Sequence, residues 1–370
     1  ARLPNHNCLA DHSPPMRIGV PKEIAPNERR VALTPDVAGR LTKGGFDIFI
    51  ERGAGSAAFF PDEAYGAAGA KVSDRASVIG QSDIVLQVQA PVAAELAHYR
   101  EGSALVAFFQ PAADLLRQLA HRKLTAFSLV LLPRITRAQP MDVLSSQATV
   151  AGYKAVLLAA SETGRLLPML VTAAGTLPAA RVLVLGAGVA GLQAIATARR
   201  LGAIVSAFDV RPAVKEQVQS LGAAFLEMAI EEHAETAGGY AKELSEETHR
   251  KELAFLAAAV KDADIVISTA AIPGKKAPVL ITAAAVQGMK PGAVIVDLAA
   301  ETGGNCELTQ PGSEIVRNGV SILGPLNLAS TLPRDASQMY AKNLSAFLGH
   351  VVQDGKLRLD FEDQIIRDTC

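Results

Sequence analysis

Residues 182–211 decide the fold: Val182-Leu183-Val184-Leu185-Gly186-Ala187-Gly188-Val189-Ala190-Gly191, running on to Phe208-Asp209-Val210-Arg211. Val182 to Leu185 is an apolar run of strand length that enters Gly186-x-Gly188-x-x-Gly191. A helical stretch follows, Leu192 to Leu201, and stops at Gly202. A second apolar run, Ala203 to Phe208, ends on Asp209. Each glycine has its own reason in a dinucleotide-binding turn. Gly186 permits the tight turn off the strand, Gly188 lets a pyrophosphate reach the backbone, and Gly191 lets helix and strand pack closely. The helix N-terminus turns its free N–H groups on the phosphates. Asp209 stands about 20 residues on, where an acid accepts hydrogen bonds from both ribose hydroxyls of an adenosine. A bare glycine pattern is weak; the strand before it, the helix after it and the acid closing the next strand make this one specific. The alternative is a glycine-rich turn with no ligand. A carboxylate at 209 repels a 2′-phosphate and favours NAD over NADP. Arg211 tempers this: it could accept such a phosphate, and is equally a surface arginine or one stacked on adenine.

The chain's 370 residues exceed one ordinary core and suit two domains. With 36 basic and 37 acidic residues, net charge −1, there is no sign of nucleic-acid binding or of a polybasic membrane contact. Cys8, Cys306 and Cys370 are far apart and form no CxxC, which fits a reducing compartment and no metal site. His98, His121, His233 and His249 have no metal-type partner at suitable spacing and read as surface residues. No apolar run reaches the ~20 residues of a spanning helix, so no direct membrane insertion is expected. Residues 1–15 lack a signal-peptide core and read as a disordered extension.

Outward from the glycine stretch, strand and helix patterns alternate. Met16 to Val20, Phe46 to Glu51, Ile84 to Val88, Ala104 to Phe109 and Leu124 to Leu131 read as strands. Thr34 caps a helix with Pro35 at its first position, running to about Lys43 and stopped by Gly44-Gly45. A short helix begins near Pro61, and Ala112 to Arg122 is another. Pro133 to Pro140 reads as a functional loop, and Met141 to Glu162 as a long helix able to carry the chain from one domain to the next. Past Asp209, Pro212 to Leu221 is a helix. Residues 227–250 are charged and glycine-split, a mobile surface loop entering a helix from about Ser245 to Val260. Ile265 to Ser268, Ala293 to Asp297 and Val320 to Leu323 are strands, Thr282 to Gln287 a helix, and Ala336 to Leu348 the last helix. The pattern predicts an α/β chain of two Rossmann-like, doubly wound parallel-sheet domains flanking a cleft. The expected boundaries are 16–143 plus 325–370 for the first domain and 144–324 for the second, nucleotide-binding one.

Four stretches resemble a known family. Met16-Arg17-Ile18-Gly19-Val20-Pro21-Lys22-Glu23 with Arg30-Val31-Ala32-Leu33-Thr34-Pro35 resembles the N-terminus shared by alanine dehydrogenases and nicotinamide nucleotide transhydrogenases. Pro133-Arg134-Ile135-Thr136-Arg137-Ala138-Gln139-Pro140-Met141-Asp142-Val143-Leu144-Ser145-Ser146-Gln147 looks like a loop of the transhydrogenase branch, and Thr236-Ala237-Gly238-Gly239-Tyr240-Ala241-Lys242-Glu243 like that branch's mobile loop. Ile272-Pro273-Gly274-Lys275-Lys276-Ala277-Pro278-Val279-Leu280 is common to both branches. Over residues 16–370 the chain is similar to the NAD(H)-binding component, domain I, of proton-translocating transhydrogenases.

That resemblance implies a homodimer that binds NAD(H) and exchanges hydride with NADP(H) on a separate NADP(H)-binding component. The enzyme class is the Si-specific/Re-specific NAD(P)+ transhydrogenase. A membrane-spanning component couples the transfer to proton translocation. The chain then reads as a subunit or excised fragment, peripheral to the inner membrane on the bacterial cytoplasmic face, with the mitochondrial matrix face as the alternative. The resemblance places Arg134, Gln139, Asp142 and Ser145 in the nicotinamide-side catalytic cluster. It makes Arg134, Ile135, Thr136, Gln139, Gly186, Gly188, Val189, Gly191, Asp209, Val210, Arg211, Gly239, Tyr240, Thr269, Ala270 and Ala271 the cofactor-binding set, with Tyr240 closing over the nucleotide. Tyr153 also matches the family pattern. Pro140 stands where a small polar residue such as serine is expected.

The rival within the family is alanine dehydrogenase. Oxidising an amino acid needs cations for the carboxylate and a base for a proton. Arg30 matches that branch's arginine, but its lysine position falls on Gln89, its histidine near Phe109-Gln110, and its later aspartate on Glu301. Hydride passing between two nicotinamides needs apposition and exclusion of water, not a base. A non-enzymatic alternative is an NAD-binding module inactive alone.

Overall fold

A computed structural model describes residues 14–228, 245–272 and 275–370. They form two compact units, one from the residues up to Leu144 together with Pro333–Cys370, the other Ser145–Leu332.

In the first unit the sheet strands are β1 (Arg17–Val20), β2 (Asp47–Glu51), β3 (Lys71–Ser73), β4 (Ile84–Leu86), β5 (Ala104–Ala107) and β6 (Thr125–Ser128). Among the described residues they form a six-stranded parallel sheet in the order β3-β2-β1-β4-β5-β6. Ile84–Leu86 and Ala104–Ala107 are buried at every position, which is why these central strands read as unbroken apolar runs rather than alternating ones. The crossover helices are α1 (Pro35–Lys43), α2 (Asp62–Ala67), α3 (Arg75–Gln81) and α4 (Ala113–His121). Thr34 is the N-cap residue of α1, but its hydroxyl donates to Asp36 Oδ1 at 2.6 Å and caps no N–H. The run 124–131 is shorter as a strand than expected: after Ser128 it closes into a turn of 3₁₀ helix, Leu129–Leu131. The expected long helix also starts later. Thr136–Met141 is a 3₁₀ turn, and α5 spans Val143–Glu162.

Against the expectation that no run is long enough, α5 has the length and mean hydropathy to cross a membrane. Its Ala155, Val156 and Ala159 are nonetheless buried in the core of the second unit. That unit opens with an antiparallel hairpin, β7 (Leu170–Thr172) and β8 (Gly175–Leu177), exposed along its length. Then come β9 (Arg181–Leu185), α6 (Val189–Arg200), β10 (Ile204–Phe208), α7 (Lys215–Ser220), β11 (Ala224–Phe225), α8 (Glu246–Asp262), β12 (Ile265–Ser268), α9 (Ala283–Gln287), β13 (Val294–Asp297), β14 (Glu314–Arg317) and β15 (Val320–Leu323). The sheet order is β11-β10-β9-β12-β13-β15-β14 among the described residues, parallel except for β14 against β15. Successive residues of β9 serve opposite faces. Val182 and Val184 join the core beneath α6, and Leu183 and Leu185 join the core beneath α8. Pro212–Val214 is a 3₁₀ turn ahead of α7, where a single helix was expected.

The chain then returns to the first unit. Ala336–Leu348 is neither the full helix nor the last one: α10 runs Pro333–Val351, followed by a hairpin, β16 (Val352–Gln353) and β17 (Lys356–Leu357), and by α11 (Gln364–Thr369). Tyr340, Leu344, Phe347 and Leu348 are fully buried in the same core as Ile18, Ile50 and Phe127. Phe347 meets Phe127 edge to face at 5.4 Å. The N-terminal sheet therefore has its core completed by a helix some 200 residues away in sequence. Phe347→Ala is expected to destabilise the first unit by about 3–5 kcal/mol, read as a lower urea midpoint with the second unit's transition unmoved. A change below about 1 kcal/mol would show that α10 is dispensable to that core.

Candidate functional site

In the second unit the strand order reverses between β9 and β12, and a ligand of such a sheet lies outside the carboxyl ends of those two strands. Gly186–Gly191 follows β9, and Thr269–Ala271 follows β12. Gly186 has φ +91°, which suits glycine, and its N–H donates to Phe208 O at 2.9 Å. Thr269 Oγ1 donates to Gly186 O at 3.0 Å and ties the two loops together. A Cβ on Gly191 would stand 1.9 Å from Gly186 O, so close packing alone demands glycine there. Gly188 is different. Its φ and ψ, −74° and −168°, are open to any residue, and a Cβ there would meet nothing within 4 Å among the described residues. The described residues give no packing reason for glycine at 188; a pyrophosphate pressed on the backbone would give one. Gly188 is also the N-cap of α6, whose first turn offers unpaired N–H groups to an anion.

Asp209 is buried at the end of β10. Its Oδ2 accepts from Ala187 N at 2.7 Å and from Arg211 Nη2 at 2.7 Å; its Oδ1 accepts from Arg211 N at 2.9 Å and Nε at 2.8 Å. Arg211 thus lies as a fork on the carboxylate. A ribose reaching Asp209 would have to displace that fork. Val210 is partly buried against the α8-side core. Asn305, buried behind the β12 loop, donates to Ala270 O and Pro278 O, both at 2.8 Å, and so fixes the backbone at Ala270.

In the first unit, Pro133, Arg134, Ile135, Thr136, Ala138, Gln139 and Asp142 line one concavity of about 230 Å³. That is below the ~300–1,000 Å³ of an ordinary small-molecule site, so it suits one end of a ligand rather than a whole dinucleotide. Arg134, Thr136 and Gln139 are exposed, while Ala138 and Met141 face the core behind. Ser145 is not among the lining residues; it sits on the first turn of α5, where its carbonyl accepts from Thr149 Oγ1. Of the expected site residues, Gly239 and Tyr240 lie outside the described residues, as does the expected mobile loop over 229–244; so do Pro273 and Gly274 of the stretch common to both branches.

The strand order of the first sheet reverses between β1 and β4, and its switch point is filled by the chain's own acids. Glu23, past β1, accepts from Val88 N at 2.6 Å and Gln89 N at 3.2 Å, past β4. Glu28 accepts from Arg30 Nε at 2.8 Å and Nη2 at 2.7 Å, and from Gln89 Nε2 at 2.8 Å. The Arg30 and Glu28 side chains are 3% and 0% exposed. Burial pushes Glu23 up to about 7, partly offset by its two backbone donors. Sequence reasoning saw Arg30 and Gln89 but missed the carboxylate that binds both, since nothing in the spacing of Glu28 separates it from a solvated acid. Gly152, inside α5, has a packing reason of its own. A Cβ there would lie 2.1 Å from Ala190 O, so Gly152 is where α5 crosses the start of α6. Among the described residues no group of His, Cys, Asp and Glu is arranged to hold a metal.

The chain is similar to known proteins along nearly its whole length. The family model described as Alanine dehydrogenase/PNT, N-terminal domain, matches residues 19–151, and that described as Alanine dehydrogenase/PNT, C-terminal domain, matches 155–370. The chain is 49% identical over 357 residues to NAD(P) transhydrogenase subunit alpha of Haemophilus influenzae, covering 95% of this chain and 70% of that one. It is 30% identical over 334 residues to alanine dehydrogenase 2 of Staphylococcus aureus, covering 87% of this chain and 83% of that one. Among solved structures, a transhydrogenase from Sinorhizobium meliloti matches with TM-score 0.86 and 46% identity, over 95% of this chain and 97% of that one.

The glycines separate fold from ligand. Gly188→Ala is expected to leave the thermal midpoint unchanged and to weaken NADH at least about tenfold, by blocking the backbone approach; Gly191→Ala is expected to lower the midpoint itself. Undiminished NADH affinity in Gly188→Ala would remove the ligand reading of this turn. Glu23 gives a pH test. Its folded pKa lies above the ordinary 4.5, so the folded state holds its proton more tightly, and the stability this provides is complete below about 4.5 and lost as pH rises through about 7. A shift of that size corresponds to about 3 kcal/mol. Glu23→Gln should flatten the fall in stability between those pH values, and coincident profiles for the two proteins would contradict it.

Proposed function

The chain belongs to the alanine dehydrogenase/PNT family, and from that premise we propose that it is the NAD(H)-binding component of a proton-translocating transhydrogenase. The observation that carries this choice within the family is the state of Arg30. Its guanidinium is buried on Glu28, and Gln89, at the position of the rival branch's lysine, shares the same carboxylate. An amino-acid carboxylate would have to displace a buried ion pair, which is costly when it leaves either charge unpaired. No histidine or lysine stands among the residues that line the loop concavity, which suits a transfer that moves no proton on either ring.

Gly186, Gly188, Val189 and Gly191 would hold the pyrophosphate of NAD(H), Asp209, Val210 and Arg211 the adenosine, and Thr269, Ala270 and Ala271 the far edge of the nucleotide. Arg134, Ile135, Thr136, Gln139, Asp142 and Ser145 would serve the nicotinamide side. Gly239 and Tyr240 complete the proposed set. The bound nucleotide supplies the hydride; the chain's residues bind it, orient it and keep water out. Once a ribose displaces the Arg211 fork, Asp209 would select NAD(H) over NADP(H), which the partner component holds. Gln139, a neutral amide, can contact the nicotinamide ribose and a second nucleotide without bringing a charge between them.

A homodimer is supported by the exposed apolar hairpin, where Met169 is 63% and Val171 72% exposed; a monomer in sedimentation velocity would remove it. The membrane-spanning component couples transfer to proton movement, with this chain peripheral to the inner membrane on the cytoplasmic side.

The test is reconstitution. With an NADP(H)-binding transhydrogenase component the chain should exchange hydride between NADH and an NADP analogue, and show none alone. With NAD and L-alanine at high pH it should form no NADH; rates near the ~10 s⁻¹ of ordinary enzymes would overturn the reading in favour of the dehydrogenase. In the reconstituted assay Gln139→Asn should lower the single-turnover rate about tenfold or more while NADH affinity falls less than about threefold. Parallel loss of both would make Gln139 an ordinary binding residue.

A further inference from the structure

The turn Thr136–Met141 is fastened from behind at two points, both on the C-terminal return. Asn343 of α10 donates from Nδ2 to Pro140 O at 2.7 Å. Arg137 meets Asp363 as a two-pronged pair, Nη1 to Oδ2 at 2.8 Å and Nη2 to Oδ1 at 3.2 Å. Asp363 is itself fixed. It is the N-cap of α11, accepting from Ile365 N at 2.8 Å, and His350 Nε2 from the end of α10 stands 3.2 Å from its Oδ2. The two fasteners bracket Gln139 in sequence and leave its side chain exposed.

Neither fastener is what stability alone would select. Arg137 is half exposed, and ion pairs at the surface contribute little to stability. Asn343 is buried with its Oδ1 unpartnered among the described residues, and an orphaned buried polar atom is destabilising. An apolar residue at 343 would avoid that cost but could not hold Pro140. What both contacts provide is the position of the turn that lines the concavity.

We propose that Asn343 and Asp363 are positioning residues, which act through Pro140 and Arg137 to hold Gln139, Thr136 and Asp142 in the arrangement that hydride transfer requires. This rests on the function proposed above. It predicts that loosening either fastener frees the turn locally and impairs transfer far more than nucleotide binding.

Three variants separate this from a loss of folding. Asp363→Ser keeps a capping side chain for α11 and removes the Arg137 pair. Arg137→Ala removes the same pair from the other side. Asn343→Leu removes the Pro140 bond together with the orphaned oxygen, so the thermal midpoint should move little. Hydrogen exchange on the nucleotide-free chain should show faster exchange across residues 135–142 in each variant, with the strands of the first sheet unchanged. In the reconstituted assay the single-turnover rate should fall about tenfold or more with NADH affinity within about threefold, and Arg137→Ala/Asp363→Ser should be no worse than either single variant. Unchanged exchange at 135–142, or faster exchange with an unaltered rate, overturns the proposal. If the unaltered chain transfers no hydride, the proposed function fails, while the exchange experiment, which uses neither nucleotide nor partner, still decides whether these residues hold the turn.

Discussion

The second unit depends on one close approach of backbone to backbone. The peptide leaving β9 turns so sharply that the carbonyl of Gly186 occupies the space a side chain on residue 191 would need. A second approach, at Gly152 against Ala190, lets α5 cross the same turn. Together they set the N-terminus of α6 at the mouth of the sheet's switch point. Thr269 then bonds the turn to the end of β12, so the two loops that would flank a nucleotide are fixed to one another. Once the glycines are accounted for in this way, Gly188 is left with no packing role among the described residues, and the proposed pyrophosphate is what would give it one.

The two switch points are contrasting solutions to the same topology. Both sheets reverse their order at the strand that opens the unit's first βαβ crossover, and both turn backbone N–H groups without a strand partner toward that point. In the first unit those groups are satisfied internally. The Glu23 carboxylate caps Val88 and Gln89, and Glu28 neutralises Arg30. In the second, Asp209, paired with Arg211, closes the rim, while among the described residues nothing packs on the Gly188 side of the turn. A site that is full of its own side chains and one that a missing side chain leaves open are chemically opposite. This is why the nucleotide is assigned to the second unit and an amino-acid substrate is not assigned to the first.

Much of this was legible in the sequence, and what was missed has a common cause. Local signals were enough for the parallel strands, because strands buried on both faces read as apolar runs, and for the turn at 186–191, because only glycine meets its steric demand. Strand and helix ends moved wherever a 3₁₀ turn intervened, as at Leu129–Leu131 and Pro212–Val214. The contacts that sequence reasoning did not find join residues far apart in the chain. Asn343 and Asp363 hold a turn some 200 residues earlier, and Tyr340 donates to Gln87 O across the first core. Glu28 binds Arg30 two residues away, yet its meaning depends on Gln89 arriving from another strand. No period or spacing encodes such a meeting. The resemblance of the loop at 133–147 named its residues, and the structure supplies the reason the turn can hold still.

On the proposed function, hydride leaves a nucleotide held by this chain and arrives directly on another nucleotide. Isotope tracing tests it. The chain would be combined with an NADP(H)-binding transhydrogenase component, NADP+ and NADH carrying deuterium at the transferred position of C4, and the NADPH formed would be analysed by mass spectrometry. The account predicts that the deuterium is retained in NADPH. NADPH carrying protium from water, or no NADPH under conditions where both nucleotides bind, would contradict it.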